Sequence, residues 1–249
     1  MYWVKSKNFR SSGEERMKFP FVVIDLTYPL SANMPSWDKG CGFECNTLLD
    51  YNECTTNTKF KVQALNFPSG IGTHIDTPAH CDENGKSVDE ISIDDLIVPF
   101  RLIDISDKCS ADYVCSVSDI ISHESAYGVI PKNSFVIIHT GWGKYWSNPL
   151  KYRNELRFPS IANEVALLLL ERGIVGIGVD TLSPDTPESG YPVHKILLGS
   201  GKYIIENIAN TESLPIQGGF IMGLPLPIVN GTEAPLRLIA LLPKENTYE

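Results

Sequence analysis

Long apolar runs are missing from this 249-residue chain. The longest stretches, such as 165–170 and 238–242, fall far short of the roughly 20 residues that a membrane-crossing helix needs, so no transmembrane segment is expected. Excess positive charge is missing as well. With 21 Lys and Arg against 30 Asp and Glu the formal net charge is −9, which argues against a sequence-independent nucleic-acid binder, because such a protein needs a basic face to displace counterions. The first 20 residues mix Lys5, Lys7, Arg10, Glu14 and Arg16 with polar neighbours and hold no apolar stretch, so they do not read as a secretory signal. A frayed extension over 1–20 is expected instead. The six cysteines, at 41, 45, 54, 81, 109 and 115, follow no Cys-x-x-Cys or zinc-ribbon spacing. They are read as free thiols in a reduced, cytoplasmic setting, with Cys41 and Cys45, or Cys81 beside His80, kept as minor candidates for metal ligation. Domain linkers, repeats and low-complexity blocks are also absent. The apolar fraction of 43% suffices for a substantial core, and 21–249 is expected to form one domain.

Histidine is scarce too, with five in the whole chain, yet two of them flank an aspartate within seven positions: His74, Asp76 and His80 share the stretch 70–80. Residues 71–76 alternate in a way compatible with the end of a strand, where positions i and i+2 share a face, so His74 and Asp76 are expected to point the same way. Pro78 donates no N–H and ends the ladder, which lets the chain bend and return His80 to the same pocket. Imidazole with carboxylate suits Zn, Mn or Fe better than Mg or Ca. Taken singly, each of the three also fits a blander role: a buried hydrogen-bonded histidine, a turn cap and a surface residue. Their concentration in one motif favours a metal-dependent site.

The remaining pattern is α/β in grammar. Strands are expected at 19–26, at 60–66 pairing with 71–76, and at 100–105, 134–139 and 174–179. Helices are expected at 92–96, at 118–127, and at 160–172 with Ser160 as its cap and Gly173 as its stop. His139, at a strand end, could reach the pocket, but a buried hydrogen-bonded role suits it better. The stretch 141–159 carries Trp142, Tyr145, Trp146, Tyr152 and Phe158 among loop-forming residues and reads as a lid, a pocket wall, a staple or an interface. Trp37, on a proline-containing loop, either folds onto the core or lines a ligand pocket, with the pocket slightly favoured. Downstream, Glu206 closes the apolar run 203–205 and His194 begins a short helix through Leu198; both are candidates to complete a metal pocket.

On these residues the span from about Ile24 to Leu242 resembles the metal-dependent cyclase/amidohydrolase family that includes bacterial kynurenine formamidase and isatin hydrolase. Its signature, His-x-Gly-Thr-His-x-Asp-x-Pro-x-His, fits 70–80 at every defined place except the first, where Gly70 stands. Further matches are Gly-Val-Asp-Thr-Leu-Ser-Pro-Asp at 178–185, His194 and Glu206 twelve residues apart, Ile-Glu-Asn at 205–207 and Gly-Leu-Pro-Leu at 223–226. The resemblance implies that His74, Asp76, His194 and Glu206 bind metal, with Asp76 able to bridge two ions. It implies that His80 donates and accepts protons and that Trp37 lines the substrate pocket. It further implies a swivelling β/β/α fold, hydrolysis of an aromatic amide or lactam, and dimers or larger homo-oligomers. The expected cofactor is a divalent metal, Zn first and Mn second. Because Gly70 offers no side chain, the expectation is one strong metal, or two of unequal affinity. Lactam or lactone opening or closing on the same scaffold is the enzymatic alternative; a binding protein with a degenerate metal site is the non-enzymatic one, against which His80 speaks.

Overall fold

Alternation along short, β-branched strands sorts the apolar residues of the main sheet into two cores. The computed structural model describes residues 19–244, so the expected extension at 1–20 lies almost wholly outside the described residues. The strands are β1 (Phe21–Asp25), β2 (Glu44–Leu49), β3 (Val62–Asn66), β4 (His74–Asp76), β5 (Ile97–Asp104), β6 (Val114–Cys115), β7 (Phe135–His139), β8 (Ser160–Ile161), β9 (Gly176–Val179), β10 (Tyr203–Glu206), β11 (Phe220–Pro225) and β12 (Glu233–Pro243). The α-helices are α1 (Ile93–Leu96), α2 (Val117–Tyr127), α3 (Pro149–Arg153), α4 (Asn163–Glu171) and α5 (Pro192–Leu198). The main sheet runs β1-β12-β11-β5-β7-β9-β10-β4, and β12 pairs with β4 as well. That last pairing closes seven strands into a barrel and leaves β1 as an appended edge. The strands β5, β7, β9 and β10 are mutually parallel; the pairings β10–β4, β4–β12, β12–β11 and β11–β5 are antiparallel. The mixed α/β, single-domain expectation is met.

Successive strand residues face opposite sides of the wall. Leu102, Phe135, Ile137, Ile205 and Leu238 pack together inside the barrel, whereas Ile103, Val136, Ile138, Ile177 and Ile204 belong to a second core under the helices, with Ile120, Val165, Leu169, Val193 and Leu197. Inside strands buried on both faces, a residue without a side chain marks a close approach. At Gly178 a Cβ would collide with Ile208 and lie 2.8 Å from the Phe135 ring.

Two local expectations change, and one left open resolves. Residues 62–66 pair with β2 in a separate two-stranded ribbon and not with 71–76. The reason is that β4 is flanked on both edges, by β10 and β12, and has no free edge to offer. The helix expected at 160–172 starts later, because Ser160 and Ile161 pair with Val114 and Cys115 as β8 and β6; the helix is capped at Ala162 with no side-chain bond, and not by Ser160. The aromatic stretch 141–159 is stapled to the body: Trp142, Tyr152 and Phe158 are buried with Leu182, and Trp142 Nε1 donates to the Tyr152 carbonyl at 2.8 Å. Among the described residues no helix is long and apolar enough to cross a membrane, and all six cysteines are free.

Gly178→Ala is expected to overpack the barrel interior and cost about 1–3 kcal/mol, measured as a lowered urea midpoint with an unchanged m-value.

Candidate metal centre

The short strand β4 presents Ile75 to the barrel core and therefore turns His74 and Asp76 outward. Its two neighbours are in register with it. Glu206 of β10 sits opposite His74, and Glu233 of β12 sits opposite Asp76, while Ala234 pairs with Ile75 on the inner face. Cross-strand partners on one face lie within side-chain reach, so the barrel closure alone gathers one imidazole and three carboxylates. After β4, Thr77 and Pro78 lead into a single 3-10 turn, Pro78–His80, that brings His80 back to the site.

The fifth group comes from α5. Pro192 starts this helix with the φ that a first turn requires. Asp185 accepts from the backbone N–H groups of Val193 at 3.2 Å and His194 at 2.9 Å, and from His194 Nδ1 at 2.8 Å. With Nδ1–H committed to Asp185, Nε2 is presented to the pocket, 3.4 Å from Glu206 Oε1 and 3.6 Å from Asp76 Oδ2. His74 follows the same logic. Its Nδ1–H donates to the Gly72 carbonyl at 3.0 Å, and its Nε2 lies 3.3 Å from Asp76 Oδ1 and 3.4 Å from Glu206 Oε2. Gly72 adopts φ +61, the left-handed region that favours glycine. Its carbonyl also accepts from Asn207 Nδ2 at 2.9 Å, and Tyr152 donates to Asn207 Oδ1 at 3.0 Å, so a buried network holds the His74 ring in place.

These side chains can hold a divalent ion. An ion about 2.1 Å from tetrahedral N and O donors sets them about 3.4 Å apart, which is the spacing seen among His74, His194, Asp76 and Glu206. Two overlapping sets have ligand atoms within 4.8 Å of one another: Asp76, His194 and Glu206, and His74, Asp76 and Glu233. Asp76 Oδ1 is buried and has no hydrogen-bond partner. Such an oxygen is expensive in a dry site unless a cation stands against it, whether a metal ion or the protonated His74 ring 3.3 Å away.

Protons neutralise the same cluster in the metal-free protein. Burial alone would depress His74, but Asp76, Glu206 and the Gly72 carbonyl outweigh it and lift its pKa to about 10. For His194, burial is likewise overcome, here by Asp185, Asp76 and Glu206, and the value rises to about 12. Asp76 is held far below the carboxylate range, because the two imidazolium groups override the penalty of burial. Burial, with repulsion from Asp76, pushes Glu206 upward.

The centre opens into a cavity of about 460 Å³. His80 stands at its side, with Nδ1 3.5 Å from Glu233 Oε2 and a third of its side chain exposed; its pairing with Glu233 raises its pKa against the effect of burial. Trp37 lines the same cavity. Its ring meets Phe158 edge-on at 6.4 Å and tilts against Tyr191 at 6.1 Å, and its carbonyl accepts from Arg153 Nε. The aromatic stretch thus supports the pocket wall. His139 points elsewhere: its Nδ1 pairs with Thr211 Oγ1 at 2.7 Å, in the buried hydrogen-bonded role. Neither metal-competent set includes a cysteine, although Cys81 lines the cavity. Sequence reasoning singled out His74, Asp76, His80, His194, Glu206 and Trp37, and all six meet at this one pocket. It gave no role to Asp185, Asn207 or Glu233. Asp185 and Asn207 stood inside matched motifs, and Glu233 opens a long alternating strand, so a register argument was the available signal.

The fold and the site together define a class: an α/β barrel protein whose outer wall carries a buried imidazole–carboxylate centre fit for divalent metal. Residues 24–186 match the family described as putative cyclase, and the chain belongs to that family. It is 28% identical over 188 residues to an isatin hydrolase of Roseibium aggregatum, covering 70% of this chain and 72% of that one. It is 28% identical over 218 residues to a kynurenine formamidase of Geobacillus thermodenitrificans, covering 86% and 94%. Among solved structures, isatin hydrolase A from Labrenzia aggregata bound to benzyl benzoate superposes with a TM-score of 0.82 at 28% identity, over 90% of this chain and 95% of that one. An isatin hydrolase bound to the product analogue thioisatinate gives 0.82 at 26% identity, over 90% and 94%.

Metal ligation requires neutral imidazoles, so an ion entering a centre whose histidines hold their protons to about 10 and about 12 must expel them. Calorimetric titration of chelator-treated protein with Zn²⁺ or Mn²⁺ in buffers of different ionisation enthalpy is expected to show release of about two protons at neutral pH, and an affinity that rises with pH.

Proposed function

We propose that this protein is a divalent-metal-dependent hydrolase that opens the C–N bond of a small aromatic amide or cyclic amide. The observation that carries the reading is the buried Asp76 carboxylate, one oxygen of it without a hydrogen bond, at the meeting point of two imidazoles and two further carboxylates, at the base of a cavity with a tryptophan on its wall. Relatives named isatin hydrolase and kynurenine formamidase support the bond type. Asp76, His194 and Glu206 would hold the principal ion with His74 beside them. When bound, such an ion supplies Lewis acidity to polarise a carbonyl and lowers the pKa of a water toward neutrality. Zn²⁺ is proposed first and Mn²⁺ second, since both accept this donor set.

The chain's own groups have distinct tasks in this reading. Asp185 holds His194 in one tautomer, and the Gly72 carbonyl does the same for His74, so both present Nε2 without rearrangement. His80 is reachable from the cavity and is not boxed in by ligands. It is suited to take a proton from the attacking water and to return it to the leaving nitrogen. Its partner Glu233 stabilises the imidazolium that forms between those two steps. Trp37, steadied by Phe158 and Arg153, offers a flat apolar face to a planar substrate. A domain spanning 21–249, the swivelling β/β/α description, a cytoplasmic location and a homo-oligomeric state complete the proposal.

Purified protein loaded with Zn²⁺ or Mn²⁺ is expected to hydrolyse isatin or N-formylkynurenine, and the comparison of the two decides between ring opening and deformylation. Absence of turnover on any aryl amide or lactone defeats the hydrolase reading. His80→Ala is expected to lower kcat by about 10²–10⁴ while metal content stays near that of the parent; parallel loss of metal would make His80 a ligand. Asp185→Asn is expected to weaken ion affinity by about 10–100-fold, read by competition with a chromophoric chelator.

A further inference from the structure

Residue 70 and Glu233 compete for one place. A Cβ on residue 70 would collide with Glu233 Oε1, and would also stand 3.5 Å from His74 Nε2. The space beside His74 that a side chain at position 70 would enter is therefore filled from β12, across the closed barrel seam. The register explains how. Glu233 pairs directly with Asp76, so its side chain leaves the sheet on the same face and in the same row. Its two oxygens are divided between neighbours. Oε2 accepts from Ser69 Oγ at 3.1 Å and faces His80 Nδ1 at 3.5 Å; Oε1 is the oxygen turned toward Gly70 and His74.

We propose that Glu233 supplies the ligand that Gly70 cannot, so that His74, Asp76 and Glu233 form a second divalent-cation centre sharing Asp76 with the first. The proposal rests on the metal-dependent reading of Asp76, His194 and Glu206 given above. Two independent observations carry it. His74, Asp76 and Glu233 offer ligand atoms mutually within 4.8 Å, as the first set does. Asp76, whose side chain is 2% exposed, directs the partnerless Oδ1 toward His74 Nε2, on the side of this second set and away from His194, which faces Oδ2.

The exchange of an imidazole position for a carboxylate has chemical consequences. The second centre becomes oxygen-rich, which favours a hard ion such as Mn²⁺ over softer competitors. It is also the more open of the two, since the Glu233 side chain is 20% exposed against 8% for Glu206. Unequal affinities follow, with the first centre filling before the second. Because Glu233 also touches His80, loss of activity in a Glu233 variant would not distinguish ligation from support of the proton carrier. Metal stoichiometry does.

The test is Mn²⁺ titration of the chelator-treated full chain, with bound ion counted after gel filtration and its electron paramagnetic resonance recorded. The parent protein is expected to take up two ions per chain and to show the spectrum of an exchange-coupled pair bridged by a carboxylate. Glu233→Gln, close to isosteric, is expected to keep the first ion, weaken the second at least tenfold and give the spectrum of an isolated ion. Gly70→Ala is expected to do the same by pushing Oε1 aside, and it serves where Glu233→Gln does not fold. The double variant Gly70→His with Glu233→Ala is expected to regain the second ion. Two ions retained at parental affinity in Glu233→Gln, or one ion in both parent and variant, overturns the proposal and leaves the first centre standing. No ion in the parent overturns the metal-dependent reading itself.

Discussion

Everything in this structure hangs on a strand of three residues. β4 is the piece that closes the barrel, pairing on one edge with β10 and on the other with β12. Closure removes free edges, which an open sheet of this length would otherwise have to protect. It also forces three chain segments far apart in sequence into one register, so that Glu206, His74, Asp76 and Glu233 emerge from one patch of the outer wall. The middle residue, Ile75, is fully buried inside and fixes which way its neighbours face. A slip of one residue would turn both polar side chains into the apolar barrel. Barrel stability and site geometry are thus the same constraint.

That constraint concentrates negative charge where water is scarce, and the remaining architecture answers it. Two histidines stand among the carboxylates, each with Nδ1 tied away from the pocket, one to a backbone carbonyl and one to Asp185. In the absence of metal they hold protons well above the ordinary imidazole range, balancing Asp76 and Glu206. The arrangement is preorganised in the useful sense: replacing the protons by a cation needs no ring to flip. Asp185 links this centre to the fold again, because the same carboxylate that fixes the tautomer also caps the first turn of α5.

How much of this could be read from the sequence follows from the range of each interaction. Local signals were legible: the i, i+2 spacing of His74 and Asp76, the stop at Pro78, and the short helix expected at 92–96, where the Ser92 side chain accepts from Asp94 N–H. So was the gathering of His194 and Glu206, through motif resemblance and not through spacing alone. Long-range pairing was not legible. The partner of 62–66 depends on β4 having both edges occupied, which no local pattern reveals. Ser160 looked like a helix cap because its backbone commitment to β6 lies some 45 residues away in the chain. Glu233 was invisible as a site residue for the same reason: its significance lies in its opposition to Asp76, 157 positions earlier, and in the emptiness of residue 70.

The pocket wall obeys different rules from the centre beneath it. The centre is built on strands and a capped helix, where positions are fixed by ladders and cross-strand register. The wall is built from loops: Trp37 sits on the stretch between β1 and β2, and is held by Phe158 and Arg153 from the aromatic segment 141–159, which anchors itself through Trp142 and Tyr152. Tyr152 reaches further and touches Asn207, the residue that steadies the Gly72 carbonyl behind His74. The wall is therefore braced against the centre through the buried Tyr152 and through Tyr191, which tilts against Trp37 and meets the His194 ring edge-on. A scaffold divided in this way can keep its chemistry while loop residues redraw the cavity. That is a physical reason for relatives at similar distance from this chain to carry two different names, isatin hydrolase and kynurenine formamidase.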